Sequence, residues 1–431
     1  MVAADIARSN RHMDFLLISI GSHGDVHPFV GIGRALVARG HTVRLAANEA
    51  FAELIGRAGL SFVQLGDRAI FEQMQTNRDV WHPRRGPKVI MQNIGQNLRP
   101  VYDIVINHAT QQSIVVGSSL AMGARVACEK MNIANATIHL APICIRTRET
   151  MPVLPGGFNS NLVPRFMREK FWEGADKWVF DPALCPTLNA LRVEVGLPPV
   201  TRIQEQWWHA PQLTLGLWPD WFFARQADYP TQVRLAGFPL YDESDHVSLD
   251  QQLVDWLREG DKPIAFTPGS AMVFGERFFT NAVDACRRLN RRGILLTRHV
   301  AHLPKLLPSS VRHVPFAPFG SLLPHCAALV HHGGIGTTSQ ALRAGVRQLI
   351  MPMSHDQYDN AAICKRLGVA DSISVRGFSG RRVAKKISAL LSSRASESAC
   401  TNVASRFKES NPIDTACDLI EAIEPLCVMT R

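Results

Sequence analysis

His331-His332-Gly333-Gly334-Ile335-Gly336-Thr337-Thr338-Ser339-Gln340 is the densest run of chemistry-bearing residues in the chain. It follows an apolar strand-like run, Ala328 to Val330, and opens a segment with helical spacing. Glycines let a backbone approach an anion closely. A helix start then offers that anion unpaired N–H groups and a partial positive charge. Thr337 and Thr338 add hydroxyl donors, and His332 adds a ring N–H. The pattern is a phosphate cradle without a lysine. A strand-to-helix turn with no ligand uses similar glycines, but not two histidines beside three of them.

Two further segments carry polar side chains where chemistry needs them. Ser354-His355-Asp356-Gln357-Tyr358-Asp359-Asn360 follows the run Gln348 to Met351. That is the C-terminal end of a parallel strand, where open α/β sheets bind ligands. Asp356 and Gln357 pair acceptors with donors suited to sugar hydroxyls, and an N-cap is the plainer role for the aspartate. Gly21-Ser22-His23-Gly24-Asp25-Val26-His27-Pro28 follows the first apolar run. Asp25 could act there as general base on a hydroxyl, with His23 and His27 as alternative bases. It too could be only a helix cap.

Absent motifs narrow the chemistry. The chain has no Gly-x-x-x-x-Gly-Lys-Ser/Thr, no His-Glu-x-x-His and no Gly-x-Ser-x-Gly. The first glycine turn fails Gly-x-Gly-x-x-Gly, which argues against a dinucleotide cofactor. No Asp-x-Asp pair exists to hold a divalent metal against a nucleotide sugar. The reading is of no cofactor and no metal.

The elements that must position these residues alternate in type. Phe15–Ile20, Thr42–Ala47 and Ser61–Leu65 read as strands, with helices Val26–Arg39 and Phe51–Ala58 between them. Strands at Ile114–Gly117, Ala136–Leu140 and Leu213–Leu217 continue the pattern. Continuous apolar strands between helices predict a parallel sheet covered on both faces. The stretches 66–112 and 142–210 read as long, irregular and aromatic, and insertions of that kind build ligand sites. After Gly237-Phe238-Pro239 and an acidic linker the alternation restarts, with strands at Ile264–Thr267, Gly293–Thr297, Ala328–His331 and Gln348–Met351. The expected division is a flexible leader 1–13, an acceptor-binding domain 14–240, a linker 241–250, a nucleotide-sugar-binding domain 251–408 and a terminal helix 409–431.

Composition agrees with a globular chain of two or three domains. Of 431 residues, 46% are apolar and 19% charged. The net charge of +10 without a basic run fits an anionic ligand or membrane surface rather than nucleic acid. Nine cysteines without a Cys-x-x-Cys pair read as reduced core residues of a cytoplasmic protein. No apolar run is long enough to span a membrane.

Taken together, the three motifs resemble the family 1 glycosyltransferases of GT-B fold. The resemblance runs from Phe15 to about Lys408, and Phe316-Ala317-Pro318, Leu322 to His325, His332 to Thr337, Ala344-Gly345-Val346 and Pro352 to Gln357 carry it. It implies an α/β architecture of two doubly wound, Rossmann-like domains facing across a cleft, with C-terminal helices packing back on the first domain. It implies that His332, Gly333, Gly334, Gly336 and Thr337 meet the donor diphosphate, that Gln340 meets the ribose, and that Asp356 and Gln357 hold the sugar. Ser270 resembles the family's donor-facing serine. Gln340 stands where plant members carry glutamate, and Arg347 stands where proline is usual. Asp25, with His23 beside it, occupies the base position, as in the glycopeptide-antibiotic and sterol enzymes.

Within the family the chain is similar to the rhamnosyltransferases of rhamnolipid synthesis. Gly24-Asp25-Val26, Val115 to Ser118, Ala121 to Arg125, Ile203 to Pro211 and His355 to Asn360 carry that likeness. It implies metal-independent, inverting transfer from dTDP-rhamnose to a lipid hydroxyl such as a 3-hydroxyalkanoyloxyalkanoate, with a companion acyl-chain enzyme. The alternatives are a UDP-glucose enzyme acting on a sterol, carotenoid or polyketide, a GT-B epimerase, or a non-catalytic subunit. Arg165 to Trp172, basic and aromatic, reads either as a peripheral contact with the cytoplasmic membrane or as a helix packed on the acceptor pocket.

Overall fold

The computed structural model describes residues 12–269 and 275–426. Seven parallel strands form the first sheet, in the order Ser61–Gln64, Thr42–Ala47, Asp14–Ile18, Ser113–Ser118, Ala134–His139, Leu213–Gly216, Val233–Leu235. Six parallel strands form the second, in the order Val311–Val314, Gly293–Leu296, Ile264–Thr267, Ala328–His331, Arg347–Ile350, Ala370–Ser372. In each sheet the first strand in sequence lies between the second and the fourth. The winding reverses there, and the crevice at that reversal is where doubly wound sheets bind ligands.

The strands read as unbroken apolar runs because both faces are covered. In Asp14–Ile18, Phe15 and Leu17 face one core, which includes Phe29 and Ile32 of the helix His23–Ala38. Leu16 and Ile18 face the other, beneath the helices Gly86–His108 and Met122–Met131. All four side chains are fully buried.

The two long stretches are not irregular. The first contains helices Arg68–Thr76 and Gly86–His108, and the second contains Arg168–Ala175 and Asp181–Glu194 joined by a π-helical turn, Asp176–Phe180. Glycine and proline inside these segments mask their helical period in sequence. Gly123 explains one close packing, since a Cβ there would sit 2.0 Å from the Leu98 carbonyl oxygen. The first helix begins at His23, three residues before the apolar spacing starts.

The chain crosses between the sheets twice. Asp242 accepts the Gly320 amide at 2.5 Å. Glu243, at φ +63°, is held by Arg57 at 2.8 Å and His27 at 3.4 Å. On the return, Phe407 stacks on Phe238. The last helix, Pro412–Glu421, then inserts Ala416, Cys417 and Ile420 into the first core. Arg39 clamps its acidic face through Asp414, Asp418 and Glu421. The preceding helix, Arg394–Ser405, stays on the second sheet. Residues 1–11 of the expected leader lie outside the described residues, and Met13 is buried at the head of the first strand.

Candidate active site

The turn after the first strand is built around Asp25. Gly21 has φ +135°, and a Cβ there would lie 2.3 Å from Asp25 Oδ2, so only glycine lets the carboxylate fold back. Ser22 caps the helix His23–Ala38, and Asp25 Oδ2 accepts its amide at 2.7 Å and its hydroxyl at 3.0 Å. The capping role and the chemical role therefore coexist, because Oδ1 is left to take a proton. Burial raises the Asp25 carboxyl above its ordinary range, against the pull of the Ser22 donors. His23 packs edge-on against Phe51 and His27. Burial, His27 and Arg298 push its imidazole down to about 4, so it is neutral at neutral pH.

The opposing turn follows the strand Ala328–His331. His331 is fully buried and structural. Its Nε2 lies 3.0 Å from Gln348 Oε1, and its Nδ1 accepts the Gly333 amide at 3.1 Å. His332 turns the other way. Its ring is wedged against two glycines: a Cβ on Gly269 would lie 2.8 Å from Cε1, and one on Gly334 would lie 2.5 Å from Nε2. Burial and the neighbouring His355 push the ring down to about 4, and Nδ1 has no partner among the described residues. Gly334 caps the helix Ile335–Arg343, whose first internal hydrogen bond comes from Thr338. The amides of Ile335, Gly336 and Thr337 are thus free to bind an anion. Thr338 is fully buried, so of the two threonines only Thr337 lines the cleft. Gln340 lines it too, and its Oε1 has no partner among the described residues. Ser270 lies outside the described residues.

The third turn completes the donor side. His355 has φ +56°, and Asp356 caps the helix Gln357–Arg366. Asn360 Nδ2 donates to Asp356 Oδ2 at 2.6 Å and to the Gly333 carbonyl at 2.9 Å, which ties this turn to the phosphate turn. Gln357 Oε1 is taken by the amides of Met353 and Ser354, so its amide nitrogen is the end left for a ligand. Burial raises the Asp356 carboxyl to about 7, and the charge of Asp25 adds to the rise. The two carboxyls, one from each domain, are thus close enough for the charge of one to act on the other.

The helix starts of the two domains meet here. A Cβ on Gly336 would lie 3.7 Å from Gly24 Cα. Segments of the first domain seat on the third turn: Ser354 Oγ reaches the His82 carbonyl at 3.5 Å, and the Val153 amide donates to Asp359 at 2.9 Å. Between the domains lies a solvent-open cleft of about 1280 Å³, bordered by His23, Gly24, Tyr241, Gly269, Gly336 and Gln340 among others. Among the described residues, no group of three His, Cys, Asp or Glu is placed to hold a metal ion.

Sequence reasoning missed Arg298. It follows the strand Gly293–Leu296, borders the cleft, lies over the Phe316 ring at 5.1 Å and has no carboxylate partner among the described residues. Its place just past a strand's C-terminal end was the available signal. Cys144 was missed as well. Its half-buried thiol is pushed up to about 12, chiefly by desolvation and then by Asp356.

Residues 15–147 match the glycosyltransferase family 28 N-terminal domain, and residues 288–422 match the C-terminal domain of erythromycin biosynthesis protein CIII-like proteins. The chain is 30% identical over 379 residues to an O-mycaminosyltylonolide 6-deoxyallosyltransferase of Streptomyces fradiae, covering 83% of this chain and 85% of that one. It is 27% identical over 408 residues to a longer sterol 3-beta-glucosyltransferase of Arabidopsis thaliana, covering 90% and 62%. Among solved structures, a glycotransferase of kitacinnamycin superposes with a TM-score of 0.73 at 21% identity over 95% of this chain and 99% of that one, a likeness of fold.

Proposed function

The chain belongs to the GT-B glycosyltransferases that join a family 28 N-terminal domain to an EryCIII-like C-terminal domain, and from that premise we propose that it transfers a rhamnosyl group from dTDP-rhamnose to a lipid hydroxyl, with inversion and without metal. The observation that carries the mechanism is the meeting of two helix starts, with Asp25 on one and His332 in the turn that leads into the other. The acceptor hydroxyl attacks the anomeric carbon from the Asp25 side, and Asp25 Oδ1 takes its proton. The bond from that carbon to the donor phosphate oxygen breaks. The charge growing on the departing diphosphate meets the amides of Ile335 to Thr337 and the neutral His332 ring. Asp356 and the Gln357 amide hold the sugar hydroxyls. Closing of this cleft over both substrates aligns the reactants and excludes water.

A 6-deoxyhexose donor is supported by the Streptomyces relative, whose name assigns it a 6-deoxyallosyl group. A lipid acceptor such as a 3-hydroxyalkanoyloxyalkanoate is supported by the motif likeness from Ile203 to Pro211 and His355 to Asn360. A companion acyl-chain enzyme would supply it. The second reading, UDP-glucose with a sterol-type alcohol, is supported by the Arabidopsis relative.

The test is nucleoside diphosphate release in EDTA, from dTDP-rhamnose and from UDP-glucose, each with and without a 3-hydroxyacyl lipid or a sterol. Lipid-dependent release from dTDP-rhamnose is the expected result. Release from UDP-glucose with sterol would move the protein to the second reading. Turnover of the donor without any acceptor would favour an epimerase, and binding without turnover would favour a non-catalytic subunit.

A further inference from the structure

The insertion of the first domain exposes apolar side chains that the cleft does not use. Leu162, Phe166 and Trp178 are 75%, 84% and 73% exposed, and Phe158 is 50% exposed. Phe158, Leu162, Met167, Lys170 and Phe171 share one open groove, in which the Phe158 and Phe171 rings stack at 6.5 Å.

The inner face of the same segment is what holds it in place. Trp172 is buried and donates to the Thr147 carbonyl at 3.0 Å. Buried Arg168 donates to the carbonyls of Val163, Arg148, Glu149 and Asn161. The segment is helical, and its inner face packs on residues 147–163 of the same insertion. The outer apolar side chains are left over, and a contiguous exposed patch of that kind marks an interaction surface.

Charge says what covers it. Phe171 and Trp178 lie seven residues apart on one continuous helical segment, and so do Lys170 and Lys177. The π-helical turn breaks the α-helical repeat between them, but Lys170, Lys177 and Trp178 are all exposed, so a lysine stripe runs beside aromatic side chains on the outer surface. Lys177 Nζ lies 4.9 Å from the Trp178 ring centroid. Glu169 is turned away to Arg148 at 3.2 Å. Aromatic side chains flanked by lysines suit the headgroup boundary of an anionic bilayer, where the rings sink and the ammonium groups reach lipid phosphates. A second copy would set the lysine stripe against itself across an isologous contact.

We infer that the 158–179 surface seats the protein on an anionic lipid bilayer, with Phe158, Leu162, Phe166 and Trp178 entering the headgroup boundary and Lys170 and Lys177 meeting lipid phosphates. This is independent of donor and acceptor, because vesicle binding is read without either.

The experiment is co-sedimentation of the full chain with phosphatidylglycerol-containing vesicles and with pure phosphatidylcholine vesicles, at low and high salt. Wild type is expected to pellet with the anionic vesicles at low salt and to release at high salt. The triple variant Leu162→Ser, Phe166→Ser, Trp178→Ser is expected to partition at least about ten-fold less, with an unchanged melting temperature. The pair Lys170→Glu, Lys177→Glu is expected to lose the preference for phosphatidylglycerol. Failure of wild type to pellet, equal pelleting with both vesicle types, or wild-type binding by the triple variant would overturn the inference. So would a concentration-dependent dimer abolished by the triple variant.

Discussion

Replacing Asp356 with asparagine should make the ligand-free protein relatively more stable as pH rises. The Asp356 carboxyl sits at about 7 rather than its usual 3.8, chiefly because it is buried and then because of the charge of Asp25. The folded state therefore keeps a proton that the unfolded chain releases above about pH 4. A folded-state value raised in this way contributes stability at low pH, and that stability is lost as pH rises through the folded value. Three units at about 1.4 kcal/mol each set a ceiling of roughly 4 kcal/mol. Between about pH 5 and pH 8 the two titration curves leave roughly 2.6 kcal/mol of that change. Asparagine keeps an oxygen for the Asn360 amide but carries no charge at any pH. His23, His332 and His355, pushed down to about 4, act in the opposite direction, since they gain stability as pH rises. Both proteins contain them, so they cancel, and the difference reports Asp356 together with its coupling to Asp25. Urea unfolding of both proteins across this pH range is the assay. A difference that stays flat, or that favours wild type as pH rises, would refute the reasoning.

Gly269→Ala forces a Cβ to 2.8 Å from His332 at φ +103°, and should lower acceptor-dependent turnover by about 10²-fold, whereas Gly56→Ala, with open space around it, should leave the rate unchanged. Arg298→Gln should weaken nucleoside diphosphate binding roughly five- to ten-fold in calorimetry and flatten its salt dependence, because it removes an unpaired cation from the cleft. Arg39→Ala should destabilise the protein by about 1–2 kcal/mol and open the last helix to proteolysis, since one guanidinium holds Asp414, Asp418 and Glu421.

What was legible in the sequence is what local chemistry encodes. Gly21, Ser22 and Asp25 lie within five residues, so their turn and capping could be read directly, and the same holds for His332 to Thr337. The first strand was legible because both of its faces are buried. The helix Gly86–His108 was not, because Pro100 and two glycines break its pattern and its stability comes from packing on Met122–Met131. Arg298 has no local motif, and only the cleft gives it meaning. The influence of Asp25 on Asp356 depends on how two separate sheets meet, which no spacing records. Asp356 and Gln357 were expected to pair acceptors with donors for a sugar, and the turn itself consumes the Gln357 carbonyl.

The most direct test of the account is the turnover of Asp25→Asn beside its affinity for the nucleoside diphosphate. Asparagine can still accept from Ser22, so the helix cap should survive. The account predicts a fall in acceptor-dependent turnover of about 10²- to 10⁴-fold with binding within about two-fold of wild type. Near-normal turnover would contradict the assignment of Asp25 as the base.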